Sequence, residues 1–275
     1  MPRAAATRDM NTLLEPFLVT RGDPAGRYDL EPFGLTVSPG LCYEATRSAT
    51  GAVIDRLVQL DSLTFGPEGM PMPRWMFYEL AALPGAAFGF GLDAGVLPDE
   101  SRGRLGLGDD ARGLVPVSMY IAIPIMPRVW CGHNLASLKR VLPELGLRRL
   151  ASRTKAFALR CLRCEQQIGA TQWDSDALFV HAKFGVLELL SAWTPAHEFP
   201  ATLTYRLDVT EAGLRHALGE GDPPAAPPAD FEIDADDHAA MRTLQTRIEA
   251  GERFAITGKP RVGEGVRRIP IARIG

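Results

Sequence analysis

Cysteine and long apolar runs are both scarce in this sequence, and each scarcity excludes a class of protein. The 275 residues include four cysteines, at positions 42, 131, 161 and 164. These are too few and too scattered for a disulfide scaffold. No apolar run approaches the roughly 18 residues that a membrane helix needs, and the first residues lack the apolar core of a secretory signal. The sequence therefore predicts a cytoplasmic protein without a membrane partner.

The chain also lacks a large net charge, which is −3, but its charges are unevenly spread. Residues 128–163 contain nine Lys or Arg against the single acid Glu144, whereas residues 208–237 contain nine acids against Arg215. A basic zone in a mildly acidic protein favours a local anionic ligand over general polyanion binding. The alternative is a solvated basic helix face, because surface charges usually need no ligand.

The composition is that of a soluble globular protein, with 46% hydrophobic and 23% charged residues. That length can bury one sizeable core, with or without an appendage. The stretch GEGDPPAAPP, residues 219–228, is typical of a linker. We therefore predict three parts: an N-terminal extension (1–39), a main domain (40–210) and a C-terminal linker with a small helix and hairpin (211–275).

Hydrophobic periodicity and turn residues predict the order of elements. The predicted helices cover residues 10–17, 50–65, 74–83, a short segment within 127–143, 146–165 and 235–250. The predicted strands cover residues 41–48, 86–92, 114–126, 166–173, 186–193 and 201–209, with a hairpin at 254–257 and 266–271. The strand at 114–126 is nearly all apolar and rich in β-branched residues, which is typical of a strand buried on both faces.

A short helix is predicted within DSDALFVHAKFGV, residues 174–186. Ala177 and His181 fall on one face at helical spacing, Asp174 can cap the start, and Gly185 can end the helix. The spacing Asp174, Ala177, His181, Gly185 resembles a signature of the GNAT superfamily of N-acetyltransferases. That family has Asn, Ala, Tyr and a Gly-Phe pair at these offsets, and Val186 takes the place of the Phe here.

The resemblance covers about residues 40–210 and implies an α/β fold with a mixed, splayed sheet flanked by helices. In this family the sheet opens between two central parallel strands, and the pantetheine arm of acyl-CoA enters there. The strands expected to separate are 115–126 and 167–173. Pro124 is a suitable place for the ladder to break, and the resemblance assigns cofactor binding to Ile123 and Ile125.

The family also carries a loop of pattern Gln/Arg-x-x-Gly-x-Gly/Ala before the long helix, where free N–H groups and the helix dipole attract pyrophosphate. The matching stretch runs from Pro143 to Arg148, and Gly146 alone keeps the pattern. The resemblance implies cofactor binding by Gly146, Leu147, Arg148 and Arg149, with the arginines holding phosphates by charge.

Three residues are candidates for catalysis. His181 stands at the family's Tyr position and would protonate the leaving thiolate; alternatively it is a partly buried histidine at the end of the short helix. His133 would act as a base, or is a loop residue near a helix N-cap. Glu79 lies where the family often places base or substrate residues, although most acids there face solvent. Cys161 and Cys164 lack a second pair, so no metal site is predicted.

The resemblance thus implies an N-acyltransferase that uses acetyl-CoA, a longer acyl-CoA or an acyl-carrier protein, and a small-molecule amine as acceptor. The alternative is a protein of the same fold that has lost this chemistry and binds a metabolite or a partner chain. Nucleic-acid binding ranks third, since no nucleic-acid module accompanies the basic zone. Any self-association of the chain is expected to give a homodimer.

Overall fold

A computed structural model describes residues 9–22, 28–29, 42–47, 50–82, 85–263 and 265–275. Their contacts form two compact units, of which unit 1 holds the described residues of 1–121 and 134–158, and unit 2 holds those of 122–133 and 159–275. This division differs from the three parts predicted from the sequence, which stay a prediction.

The described chain is a mixed α/β structure, as predicted. Its strands are β1 (Glu15–Thr20), β2 (Cys42–Glu44), β3 (Ala86–Asp93), β4 (Leu114–Met126), β5 (Val129–Ser137), β6 (Gln166–Gln172), β7 (Leu187–Ser191), β8 (Thr202–Asp208), β9 (Phe231–Asp234), β10 (Phe254–Ile256), β11 (Arg261–Gly263) and β12 (Val266–Arg273). Its helices are α1 (Gly51–Phe65), α2 (Arg74–Ala82), α3 (Asp99–Arg104), α4 (Leu150–Cys161), α5 (Ala177–His181), α6 (Glu211–Leu218) and α7 (His238–Glu249).

Unit 1 has the strand order β5-β4-β3-β1-β2, with parts of β4 and β5 contributing. β1 runs antiparallel to β3 and parallel to β2. The predicted α1 and α2 are confirmed, because the apolar residues of α1 recur at helical spacing and are buried. The helix predicted at 10–17 is wrong: a 3-10 turn at Met10–Thr12 leads into β1, whose last four residues are buried.

Unit 2 has the strand order β11-β12-β10-β7-β8-β6-β5-β4, with β9 beside β12 and with the remaining parts of β4 and β5. β6 is antiparallel to β8 along its whole length, and β8 is antiparallel to β7. The predicted hairpin pairs β10 with β12, and β10 also pairs with β7. The C-terminal strands therefore extend the sheet of unit 2.

Two predictions around the long helix are wrong. Residues 129–137 form strand β5 and not a loop leading to a helix, because Pro127 and Arg128 turn the chain directly after β4. Arg128 takes the left-handed conformation that this two-residue turn needs, with φ of 61°. The long helix begins at Leu150 and ends at Cys161, so it is shorter than the predicted 146–165.

Candidate active site

The parallel strand pair of unit 2 ends at a defined position. β5 pairs with β6 in parallel from Val129 with Gln166 to Gly132 with Gly169. On the other side of β6, Gly169 is the register partner of Tyr205 in β8. Paired residues of neighbouring strands place their side chains on the same face. Gly132 and Gly169 are the last residues of the parallel pair. Tyr205 therefore lies beside the end of this pair, on the face of the sheet to which a side chain at position 169 would point.

The Tyr205 ring packs directly on Gly169, which has no side chain to obstruct it, and a hydrogen bond fixes its hydroxyl. Its ring is fully buried, and Gln167 Nε2 donates to its hydroxyl at 3.2 Å. A Cβ atom added to Gly169 would lie 2.5 Å from that hydroxyl, so only glycine fits there. Burial raises the pKa of Tyr205 far above its usual range, and the phenol stays neutral at physiological pH.

His181 reaches the same place from α5. This helix is five residues long and follows β6 after one turn. His181 is 6% exposed, and its ring lies 5.2 Å from that of Tyr205 at an interplanar angle of 40°. Its side chain thus belongs to a buried polar cluster together with Tyr205 and Gln167. The Oε1 atom of Gln167 is buried there without a hydrogen-bond partner.

The connection into α5 is anchored by the C-terminal part of the chain. Arg267 of β12 donates to the carbonyl oxygen of Asp174 and pairs with the Asp176 carboxylate at 2.9 Å. The same guanidinium lies 5.1 Å from the centre of the Phe179 ring. Asp176, and not the predicted Asp174, is the N-cap residue, and its side chain makes no capping hydrogen bond. Because Arg267 holds three points of this short segment, it helps to position α5.

Cys131 and His133 flank Gly132 in β5 and differ in their chemistry. Burial raises the pKa of the Cys131 thiol, so little nucleophilic thiolate exists at neutral pH. His133 is exposed and lies in a strand, not beside a helix N-cap. Although its side chain is exposed, neighbouring protein atoms displace part of its hydration, which lowers the pKa of His133 and keeps its imidazole neutral. By strand alternation its side chain points to the face opposite that of Tyr205.

The cofactor role predicted for Ile123 and Ile125 depended on the wrong strand pair. Both residues lie in β4, which neighbours β5, and the strand parallel to β6 is β5. Ile123 is half-buried and Ile125 is 47% exposed. These side chains are therefore one strand away from the parallel pair, because β5 was missed in the sequence.

The predicted phosphate loop belongs to unit 1 and precedes α4 without being part of it. Gly146 closes the 3-10 turn Pro143–Leu145 in the left-handed conformation, with φ of 59°, which explains a glycine here without any ligand. Leu147 is buried, whereas Arg148 and Arg149 are exposed.

One side chain satisfies two backbone groups of this loop. The Asn11 Nδ2 atom donates to the carbonyl oxygen of Gly146 at 3.2 Å, and the backbone N–H of Arg148 donates to Asn11 Oδ1 at 2.8 Å. Asp9 caps the turn that carries Asn11. The pKa of Asp9 is lowered by its hydrogen bonds from Asn11 and by the charges of Arg148 and Arg153.

Unit 1 also contains a buried carboxylate that the sequence did not reveal. Asp61 of α1 is fully buried and accepts from the Met72 N–H at 2.6 Å and from Asn134 Nδ2 at 2.7 Å. Burial raises the pKa of Asp61. These two hydrogen bonds link α1 to the loop before α2 and to β5. Glu79, the predicted acid, lies on the exposed side of α2.

Sequence reasoning found His181 but missed Tyr205, Gln167, Asn11, Asp61 and Arg267. A strand-like alternation marks the segment of Tyr205, yet nothing local identifies its neighbours. Asn11 lies 135 residues before Gly146, and no local pattern reports a contact at that distance. The roles predicted for His181, His133 and Glu79 stay predictions.

No three His, Cys, Asp or Glu side chains of the described residues lie together as a metal site would require. In the same part of the chain, every helix is too short or too polar to cross a membrane.

No protein-family model and no curated protein matches this chain. Among solved structures it is similar to an aminoglycoside 6'-acetyltransferase type Ii, with 15% identity and a TM-score of 0.38, covering 61% of this chain and 95% of that one. A protein from Desulfovibrio desulfuricans described within the GNAT family of acetyltransferases has 16% identity and a TM-score of 0.33, covering 58% and 94%. Values this low support no conclusion about family or activity.

Proposed function

We propose that this protein is a divergent GNAT-like N-acyltransferase that moves an acyl group from a pantetheine thioester to an amine. Acyl-CoA and an acyl-carrier protein are the two sources of such a thioester. The amine nitrogen attacks the thioester carbonyl, the C–S bond breaks, and the sulfur leaves as a thiolate. The nitrogen loses one proton to a base, and the thiolate gains one from an acid.

The position of His181 carries the proposal. It is a buried histidine on a short helix directly after β6, against Tyr205 at the last residue pair of β5 and β6. The order of β5, α4, β6, α5, β7 and β8, with β8 between β6 and β7, agrees with the fold that the sequence resemblance implies. The buried, unpartnered oxygen of Gln167 adds an acceptor in the same cluster.

His181 is the proposed acid, and Tyr205 is proposed to orient it. Proton donors work best when their pKa lies near the working pH, and the strongly raised pKa of Tyr205 makes the phenol a poor donor to a thiolate. A histidine ring is better matched to that task. Tyr205 instead offers a fixed aromatic surface for the imidazole. His133 points to the face of the sheet opposite that of Tyr205 and is not proposed as the base, so the amine proton leaves to water.

Thermal unfolding in the presence of thioesters tests this proposal. A ligand that binds only the folded state raises the melting temperature. We expect S-acetylpantetheine or a longer S-acyl analogue at about 100 times its Kd to stabilise the wild-type protein by roughly 2.7 kcal/mol. An unchanged melting temperature across acyl chains from acetyl to palmitoyl, on both pantetheine and CoA, argues that the chain binds no such thioester.

A further inference from the structure

The turn that carries Asp9 and Asn11 is hydrogen-bonded to the loop at which the resemblance places the pyrophosphate of CoA. Both polar groups of the Asn11 amide are used on this loop, one by the Gly146 carbonyl and one by the Arg148 N–H. A pyrophosphate oxygen would need that N–H as a donor. It is already satisfied by an oxygen of the protein itself.

The same turn also provides a negative charge beside the basic residues of this loop. The Asp9 carboxylate interacts electrostatically with Arg148, to which the resemblance assigns phosphate binding, and with Arg153 in the first turn of α4. It is ordered by two hydrogen bonds from Asn11, at 3.0 Å from the backbone N–H and 2.8 Å from the side chain. The turn therefore brings one carboxylate and one amide oxygen to the place where an anionic ligand would bring phosphate oxygens.

Resting on the proposed function, we infer that the Asp9–Thr12 turn takes the contacts that the nucleotide end of CoA would need, so that the protein recognises the acyl-pantetheine thioester alone and gains no affinity from adenosine pyrophosphate. An acyl carrier presents its thioester in this form. Asp9 and Asn11 are then specificity-determining residues, because they compete intramolecularly with the pyrophosphate. The weak match of Pro143–Arg148 to the family pattern agrees with this, since a loop that holds no pyrophosphate does not need that pattern.

Paired titrations of acetyl-CoA and S-acetylpantetheine by calorimetry test the inference on the full chain. We expect wild-type Kd values that agree within about threefold, since the nucleotide adds no contact. In the Asp9→Ala/Asn11→Ala variant, acetyl-CoA should bind about tenfold tighter, because charge-assisted hydrogen bonds to phosphate become available. Binding of S-acetylpantetheine should not change.

Asp93→Ala is the matched control, because Asp93 caps the 3-10 turn Ala94–Val96 as Asp9 caps its own and should leave both affinities as in the wild type. The inference is overturned if the wild type already prefers acetyl-CoA by tenfold or more. It is also overturned if the double variant gains no affinity for acetyl-CoA, or gains equally for both ligands. Binding of neither ligand by any variant overturns the proposed function, and the inference with it.

Discussion

Replacing His181 by phenylalanine is expected to lower the turnover number about 100-fold or more, because the acid that protonates the leaving thiolate is lost. Phenylalanine keeps an aromatic ring against Tyr205 in this buried position, so the packing changes little. The thioester affinity should stay within a few-fold of the wild-type value, since proton transfer contributes to the transition state and not to ground-state binding. Thiol release measured at saturating thioester reports the effect.

His238→Phe provides a control with a matched ring contact. His238 lies on α7 with its ring 5.2 Å from that of Trp193, outside the cluster of His181, and its replacement should leave turnover unchanged. Equal turnover of His181→Phe and wild type would show that His181 is not the acid.

Adding one methyl group at Gly169 is expected to disturb fold and activity together. The alanine Cβ would lie 2.5 Å from the hydroxyl oxygen and 2.6 Å from Cζ of Tyr205. Both distances are shorter than non-bonded atoms can approach. The buried ring must shift, which breaks its 3.2 Å hydrogen bond with Gln167 and moves the surface that orients His181. We expect a loss of about 1–3 kcal/mol in unfolding free energy and a fall in turnover of about tenfold or more.

Gly258→Ala separates this collision from the general effect of losing a glycine. A Cβ at Gly258 would lie 3.6 Å from Pro270, an ordinary contact, so its unfolding free energy should change by about 0.5 kcal/mol or less. Chemical denaturation of both variants and the wild type gives the comparison. If Gly169→Ala is as stable and as active as Gly258→Ala, Tyr205 is not held as described.

Periodicity predicted the elements that are locally consistent. α1, α2, β4 and the hairpin of β10 and β12 carry clear helical or apolar patterns, and the structure contains them. β5 was missed because it includes Gly132 and Asn134, which have low strand propensity. Its entry turn also lacks the usual signal, because Arg128 and not glycine or asparagine adopts the positive φ.

Because β5 was not predicted, one strand of the predicted parallel pair was assigned wrongly. The partner of β6 was assigned to β4, and the thioester contacts were placed at Ile123 and Ile125 for that reason. His181 was found because its motif is contained within twelve residues, 174–185, of one segment. Its surroundings were not predictable, because Tyr205, Gln167 and Arg267 come from three other strands and meet His181 or its helix only in the folded chain.

The most direct test of acyl transfer is the formation of product. S-acetylpantetheine is incubated with the wild-type protein and a panel of primary amines, and N-acetylated amine and free pantetheine are measured by mass spectrometry. We predict equal amounts of the two products with at least one amine, at a rate about 100-fold lower for His181→Phe. Thioester binding without N-acetylated product from any amine, or product formed equally fast by His181→Phe, would contradict the account and favour a binding protein that has lost this chemistry.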